Sequence, residues 1–366
     1  MVCIVAFIVV LVLSAVSAKY RKLLGRAWGC AWRKVTLRPC DTSFRDDVKN
    51  SLLAPLALRA PRMVRPASIA IEVVAWLMVL SLIVSLYLLG RSGLNLFVYG
   101  TCDKQNAQAC SLAAQACSID AVEPGFWESI GEGDVFGAFG REFASVGDTI
   151  ATLPSRLRSW DAADFAAADA TYLGGYVEGR PTALDVLDPG CRFCAQLFRN
   201  MRDAGFGNTH NVTYLVYPIH SATGDKFANS ALIATYLSAV RVFEAERTAA
   251  GAGAQARPVE TGDWYILEQL FTTQTDDGWS TQDWMNTAPA AEAADRLQQW
   301  LGADGYTPAE VQRIVELTTS SQVAASLEHA RRVVEDDIRT VSIPSLIAGG
   351  GLHAGLVDVD TLRGLG

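Results

Sequence analysis

Histidine is scarce in this chain of 366 residues, and a second Cys-x-x-Cys pair is missing. The only such pair is Cys191 and Cys194, in "DVLDPGCRFCAQLF". A structural zinc site takes four ligands, and no Cys/His cluster supplies the other two. The four histidines, His210, His220, His329 and His353, have no ligand-like spacing. No metal is therefore expected. The glycines of "VFGAFGREFASVGDTIATLPSRLRSW" are not a nucleotide motif, because no preceding strand and following long helix frame them. No organic cofactor is expected either.

Charge is absent from residues 2–18, "VCIVAFIVVLVLSAVSA", and almost absent from residues 67–90, "ASIAIEVVAWLMVLSLIVSLYLLG". A helix needs about 20 apolar residues to cross a bilayer core. The second stretch meets that length, with one acid, Glu72, near its interfacial start. The first stretch is short, and "SAVSA" before Lys19 has the small residues of a signal cleavage site. No basic stretch precedes it, however. Cleavage there would also export residues 19–66, which carry twelve Lys/Arg against three Asp. Basic loops stay in the cytoplasm. The expectation is two transmembrane helices, 1–18 and 67–90, with the basic loop 19–66 inside. Residues 91–366, with a net charge of -16, then lie outside. Topology marking accounts for the basic loop, so no nucleic-acid partner is expected. The expected location is the cell membrane, with the C-terminal part extracytoplasmic.

Residues 91–169 read as an extracytoplasmic connector with one or two short helices, lying against the membrane or beneath the following domain. Cys102, Cys110 and Cys117 sit in its first part. Cys110 and Cys117 are two turns apart on a helix, too far for a direct disulfide. A structural disulfide within this set of three is expected, with intermolecular pairing and free thiols as alternatives; three cysteines leave one odd unless it pairs elsewhere.

From residue 170 the pattern alternates. "TYLGGYVEG" reads as a strand or ribbon, "PTALDVLD" as a buried strand, and "CRFCAQLFRNMRDAG" as a helix starting at the first cysteine. "HNVTYLVYPI" reads as a central strand, which argues against glycosylation at its Asn211-Val212-Thr213 sequon. Residues 222–340 are mainly helical, with Thr307, Pro308 and Glu310 forming an N-terminal cap and Ser320 or Ser321 a second. "SIPSLIAGG", "LHAGLVDV" and "DTLRGLG" close the chain as strand, turn, strand and short helix.

A cysteine at a helix start meets unpaired N–H groups and the positive helix end, both of which favour thiolate. Cys191 is then the attacking thiol and Cys194, one turn in, the resolving thiol. Arg192 adds positive charge, and Phe193 offers an apolar contact to a substrate chain. Asp185 is a carboxyl inside an apolar strand, costly unless hydrogen-bonded or protonated. It is placed to take or return the proton of Cys194. Asp188-Pro189 reads as a turn.

Strand, Cys-x-x-Cys helix, strand, helices, then a late Ile343-Pro344 before a strand resembles the thioredoxin fold. The long helical stretch resembles that of bacterial periplasmic disulfide-forming (DsbA-like) oxidoreductases, over roughly 170–366. The resemblance implies an α/β thioredoxin-like domain with a helical insertion at about 222–340. It implies a cis Pro344 opposite the redox pair, with Ile343 offering backbone groups to substrate, and a buried acid at Asp185. The dipeptide Arg192-Phe193 matches neither Gly-Pro nor Pro-His of familiar members. Gly190 stands where an aromatic residue is usual.

The leading expectation is a membrane-anchored thiol–disulfide oxidoreductase that forms, reduces or isomerises disulfides. Its partners would be cysteine-containing exported proteins and a membrane or extracytoplasmic redox partner that recycles the pair. Two alternatives stay open: a non-catalytic thioredoxin-like binding or assembly protein, and a dedicated reductase for metal delivery or cytochrome assembly.

Overall fold

The computed structural model describes residues 64–104, 116–119, 125–221, 224–249 and 261–365. The chain divides into two units, Met1–Arg91 and Ser92–Gly366. The expected first span, 1–18, lies outside the described residues, as do residues 19–63 of the basic loop and the side chain of Glu72.

Helix α1 runs from Val64 to Tyr99. Among the described residues one helix is long and apolar enough to cross a membrane, over Val79–Tyr99. Two were expected, and the second was placed at 67–90. The helix instead continues past Gly90. Neither Gly90 nor Gly93 adopts a positive φ, and Leu94–Tyr99 extends the apolar run. A helical glycine costs only about 1 kcal/mol relative to alanine, which apolar neighbours override.

In the second unit, the connector forms two helices, α2 (Phe126–Gly131) and α3 (Val135–Arg156). Asp134 caps α3, accepting from the Gly137 N–H at 2.9 Å. One face of α3 packs on the end of α1: Thr149 donates to Asn95 at 3.1 Å, and the Tyr99 hydroxyl meets Thr152 at 3.4 Å. Phe136, Phe139, Phe143 and Ile150 of α3 are exposed.

Two short pairs, β1 (Cys117–Ser118) with β6 (Ser342–Ile343) and β4 (His220–Ser221) with β5 (Gly224–Asp225), accompany a main sheet of order β3-β2-β7-β8, made of Asn211–Val216, Thr182–Leu187, Ser345–Ala348 and Gly351–Ala354. Strands β2 and β3 are parallel, while β7 runs antiparallel to both β2 and β8. A parallel pair needs a crossover, and helix α4 (Arg192–Ala204) supplies it. Its buried residues Cys194, Leu197, Phe198 and Met201 recur at helical spacing. Gly205, at φ 65°, ends it in the left-handed conformation. Strand β2 is apolar nearly throughout because it is covered on both faces. Leu184, Val186 and Leu187 are fully buried, each worth about 1.5–3 kcal/mol.

This is a thioredoxin-like α/β core, and a long helical insertion separates β3 from β7. The insertion comprises α5 (Ser230–Ala249), α6 (Gly262–Thr272), α7 (Thr281–Met285), α8 (Ala290–Ala303), α9 (Pro308–Leu317) and α10 (Ser321–Arg332). Thr307 and Glu310 form the expected capping box, and Ser320 caps α10. Helix α6 carries Trp264, which packs edge-on to Tyr214 of β3 at 5.0 Å and stacks near Phe198 of α4 at 6.4 Å. A closing helix, α11 (Val359–Gly364), packs on α4.

Two sequence expectations change here. Residues 171–179 form turns rather than a strand. Gly174, Gly175 and Gly179 have φ values of 71°, 87° and 84°, which a strand does not accommodate. Strand β3 is an edge, not the centre, because β2 pairs on both sides. Asn211 is nonetheless buried, with its side chain bonded to Val177 and Arg180.

Candidate thiol exchange site

Strand β2 delivers Asp185 to the middle of the sheet, between Tyr214 and Leu346. Three residues later Asp188 leaves the strand and shapes the approach to α4. Its carboxylate accepts from the N–H groups of Gly190 and Ile219, both at 2.7 Å, and from the Ser230 hydroxyl. Asp188 is therefore more than the turn residue its Asp-Pro context suggested. It ties the loop before Cys191 to the chain after β3 and to the start of α5. Burial pushes its pKa up to about 6, against the pull of its three donors.

Cys191 is the N-cap residue of α4, and Cys194 lies in the first turn. Both are fully buried. The insertion holds the loop from the other side: Gln282 of α7 donates to the carbonyls of Pro189 at 2.7 Å and Cys191 at 3.0 Å. Asn286 donates to the Gly190 carbonyl at 3.0 Å. Gly190 is required by space. A Cβ there would stand 2.3 Å from the Cβ of Phe227. Phe227, from beyond β3, thus brings an aromatic ring against the position where the fold usually carries one in sequence.

Across from α4, Ser342–Ile343 form β6, and Ile343-Pro344 is a cis peptide. The Ser342 carbonyl accepts from Thr340 at 3.0 Å and from Ser345 at 2.7 Å, which fixes the loop. The Cys191 sulfur lies 3.6 Å from the Ile343 carbonyl oxygen. That is a contact and not a hydrogen bond, because this sulfur carries no proton.

The Cys191 sulfur is bonded to Cys117 at 2.03 Å, across 74 residues of sequence, and Cys194 is a buried free thiol. This changes two expectations. Cys117 leaves the set it was grouped with: Cys102 is disulfide-bonded elsewhere, and Cys110 lies outside the described residues. The disulfide of Cys191 runs to Cys117 rather than to Cys194. The physical reason is β1 (Cys117–Ser118), which pairs antiparallel with β6, Cys117 opposite Ile343 and Ser118 opposite Ser342. That pairing brings Cys117 to the start of α4. With its sulfur turned towards Cys117, Cys191 makes no side-chain cap bond to α4.

The environment of Cys194 suppresses ionisation. Burial and then the negative charge of Asp185 raise its pKa well above the usual thiol range, while the Asp188 N–H, donating to its sulfur at 3.4 Å, pulls the other way. Burial alone raises Asp185 to about 8, and its Oδ1 has no hydrogen-bond partner. A largely protonated carboxyl thus sits beside a protonated thiol at neutral pH. Arg192 is exposed and lies over the half-buried Phe193 ring at 4.7 Å. Ile343 and Pro344 are buried. Among the described residues no group of His, Cys, Asp and Glu is arranged to hold a metal ion.

Sequence reasoning missed Cys117 as a partner of the site, and missed Gln282, Asn286 and Phe227 entirely. Asp188 was noticed but read only as a turn. The single signal for Cys117 was the odd cysteine count of the connector.

No family model matches the chain, and no curated protein matches it. Solved structures similar in part include a thioredoxin-like oxidoreductase from Silicibacter pomeroyi, 15% identical, covering 54% of this chain and 91% of that one, TM-score 0.36. The thiol-disulfide exchange protein alpha-DsbA2 from Wolbachia pipientis is 15% identical over 54% of this chain and 85% of its own, TM-score 0.36. A periplasmic thioredoxin-like protein from Salmonella enterica serovar Typhimurium is 17% identical over 56% and 91%, TM-score 0.36. The thioredoxin-like character of this chain rests on its own sheet order, its cysteine helix and its Ile343-Pro344 loop.

Proposed function

We propose that this chain is a membrane-anchored, extracytoplasmic thiol–disulfide oxidoreductase acting on cysteine-containing exported proteins. The observation that carries the reading is the position of Cys191: a helix N-cap sulfur in a disulfide, with a free thiol one turn away at Cys194. Cys191 is the attacked and attacking sulfur. Cys194 resolves the mixed disulfide, and the ionised fraction of Asp185 takes its proton and returns it. Arg192 and Phe193 border the site on the exposed side, and Ile343 presents backbone groups beside the sulfur. A separate redox partner recycles the pair. Disulfides at Cys117–Cys191 and at Cys102 belong to an oxidising compartment. The apolar Val79–Tyr99 segment supports anchoring.

Cys191→Ser is expected to abolish exchange with a cysteine-containing peptide, and Cys194→Ser to accumulate mixed disulfides with it. Non-reducing mass analysis reads both. A second reading has one observation in its favour: Cys191 is fully buried, as in a non-catalytic binding protein with a structural disulfide. If Cys191 resists alkylation after mild reduction and Cys194→Ser traps nothing, that second reading holds.

A further inference from the structure

Strand β1 occupies the edge of β6 in the manner of a bound extended peptide. Cys117 lies opposite Ile343, Ser118 opposite Ser342, and the Ile119 N–H donates to the Val341 carbonyl at 3.1 Å. Lys226 closes the other side, donating to the Ser118 carbonyl at 3.0 Å. The pairing is backbone to backbone and antiparallel, the way an added strand extends a sheet edge. The cysteine carried by this strand is bonded to the sulfur the site uses. Cys191 has a second partner within reach, since Cys194 is the third residue after it on a helix, a separation compatible with a disulfide. One sulfur holds one disulfide, so the two pairings exclude each other.

We propose that Cys117 is a third exchanging cysteine, and that Ala116–Ile119 is an intramolecular substrate that leaves the β6 edge when Cys194 displaces Cys117 from Cys191. This rests on the thiol exchange reading above and deepens it. In the step, the Cys194 thiol loses its proton and attacks the Cys191 sulfur. The 191–194 bond forms and the 117–191 bond breaks. Cys117 departs as a thiolate and takes up one proton. One disulfide and one thiol stand on each side, so no oxidant or reductant is consumed. The product has a 191–194 disulfide and an edge open to an external chain. The occupant also describes the external substrate: an extended backbone bearing a cysteine flanked by small residues, as in Ala116-Cys117-Ser118. In the resting form the site is closed by its own product-like complex.

The test uses the full chain in detergent, acid-quenched, alkylated and mapped for disulfides, together with exchange with an extended cysteine-containing peptide. Wild type is expected to hold both 117–191 and 191–194 linkages at an unchanged thiol count. Ile119→Pro keeps every cysteine but removes the N–H to Val341, and is expected to shift the population towards 191–194. If the closed form holds about nine-tenths of the molecules, Cys117→Ser raises peptide exchange about tenfold. A Cys117→Ser rate within twofold of wild type, or a 117–191 linkage that neither wild type nor Ile119→Pro ever exchanges for 191–194, overturns the proposal and leaves the exchange function standing. Absence of exchange above the Cys191→Ser background in both wild type and Cys117→Ser overturns the exchange function itself, and this proposal with it.

Discussion

Replacing Asp185 with Asn should stabilise the protein, and the gain should depend on pH in a defined direction. The carboxyl is wholly buried in β2, and its Oδ1 lacks a partner. In the unfolded chain it ionises at an ordinary value of 3.8, whereas the fold holds its proton to about 8. Between those values the folded state binds more protons than the unfolded state, so wild-type stability falls as pH rises. Each pH unit in that window is worth about 1.4 kcal/mol, giving a cost on the order of 4 kcal/mol at pH 7. Asn has the same shape and no proton to lose, so it escapes the ionisation cost. Denaturant unfolding of both full chains in detergent, followed by tryptophan fluorescence from pH 4 to 8, measures the gap. It should be small at pH 4, grow steadily to pH 8 and level off above. A constant gap, or a variant less stable than wild type at pH 7, refutes the assignment of a buried, unpartnered carboxyl. The same variant should slow resolution by Cys194, since the ionised fraction of Asp185 that accepts its proton is gone. A site that keeps a destabilising carboxyl is one in which the group has work to do.

Other consequences of the geometry are directly measurable. Gly190→Ala drives a methyl group into Phe227 and should destabilise by about 1–3 kcal/mol, read as a lower unfolding midpoint. Gln282→Ala removes the donor to the Pro189 carbonyl, while the Cys191 carbonyl keeps the N–H groups of Cys194 and Ala195, a loss of about 1–3 kcal/mol. Hydrogen exchange should show faster opening of the first turn of α4 in that variant, with β7 and β8 unchanged.

Local chemistry was legible wherever a short stretch carried its own signal. The Thr307 capping box needs only the residues between Thr307 and Glu310, and the structure forms it. The apolar run Thr182–Leu187 reads as a buried strand because it is covered on both faces. Residues 171–179 read as a strand or ribbon, but the positive φ of Gly174, Gly175 and Gly179 makes them turns. The span boundary slipped for a different reason. The uninterrupted apolar stretch ends at Gly90, yet the single charge of Arg91 does not end the helix, whose apolar run resumes at Leu94.

The sequence by itself determined that Cys191 and Cys194 begin a helix after a buried strand, that Asp185 lies in that strand, and that Ile343-Pro344 precedes another. Each of those depends on residues near one another along the chain. Only the tertiary structure decided which sulfur Cys191 holds. Cys117 is 74 residues upstream, and a disulfide forms between sulfurs that the fold brings together, regardless of spacing. The pairing of β1 with β6 makes that approach, and the clamp of Gln282 and Asn286 on the loop comes likewise from a helix some 90 residues away. Backbone pairing carries almost no side-chain signature in two-residue strands, so the edge that Cys117 occupies became visible only once the chain was folded.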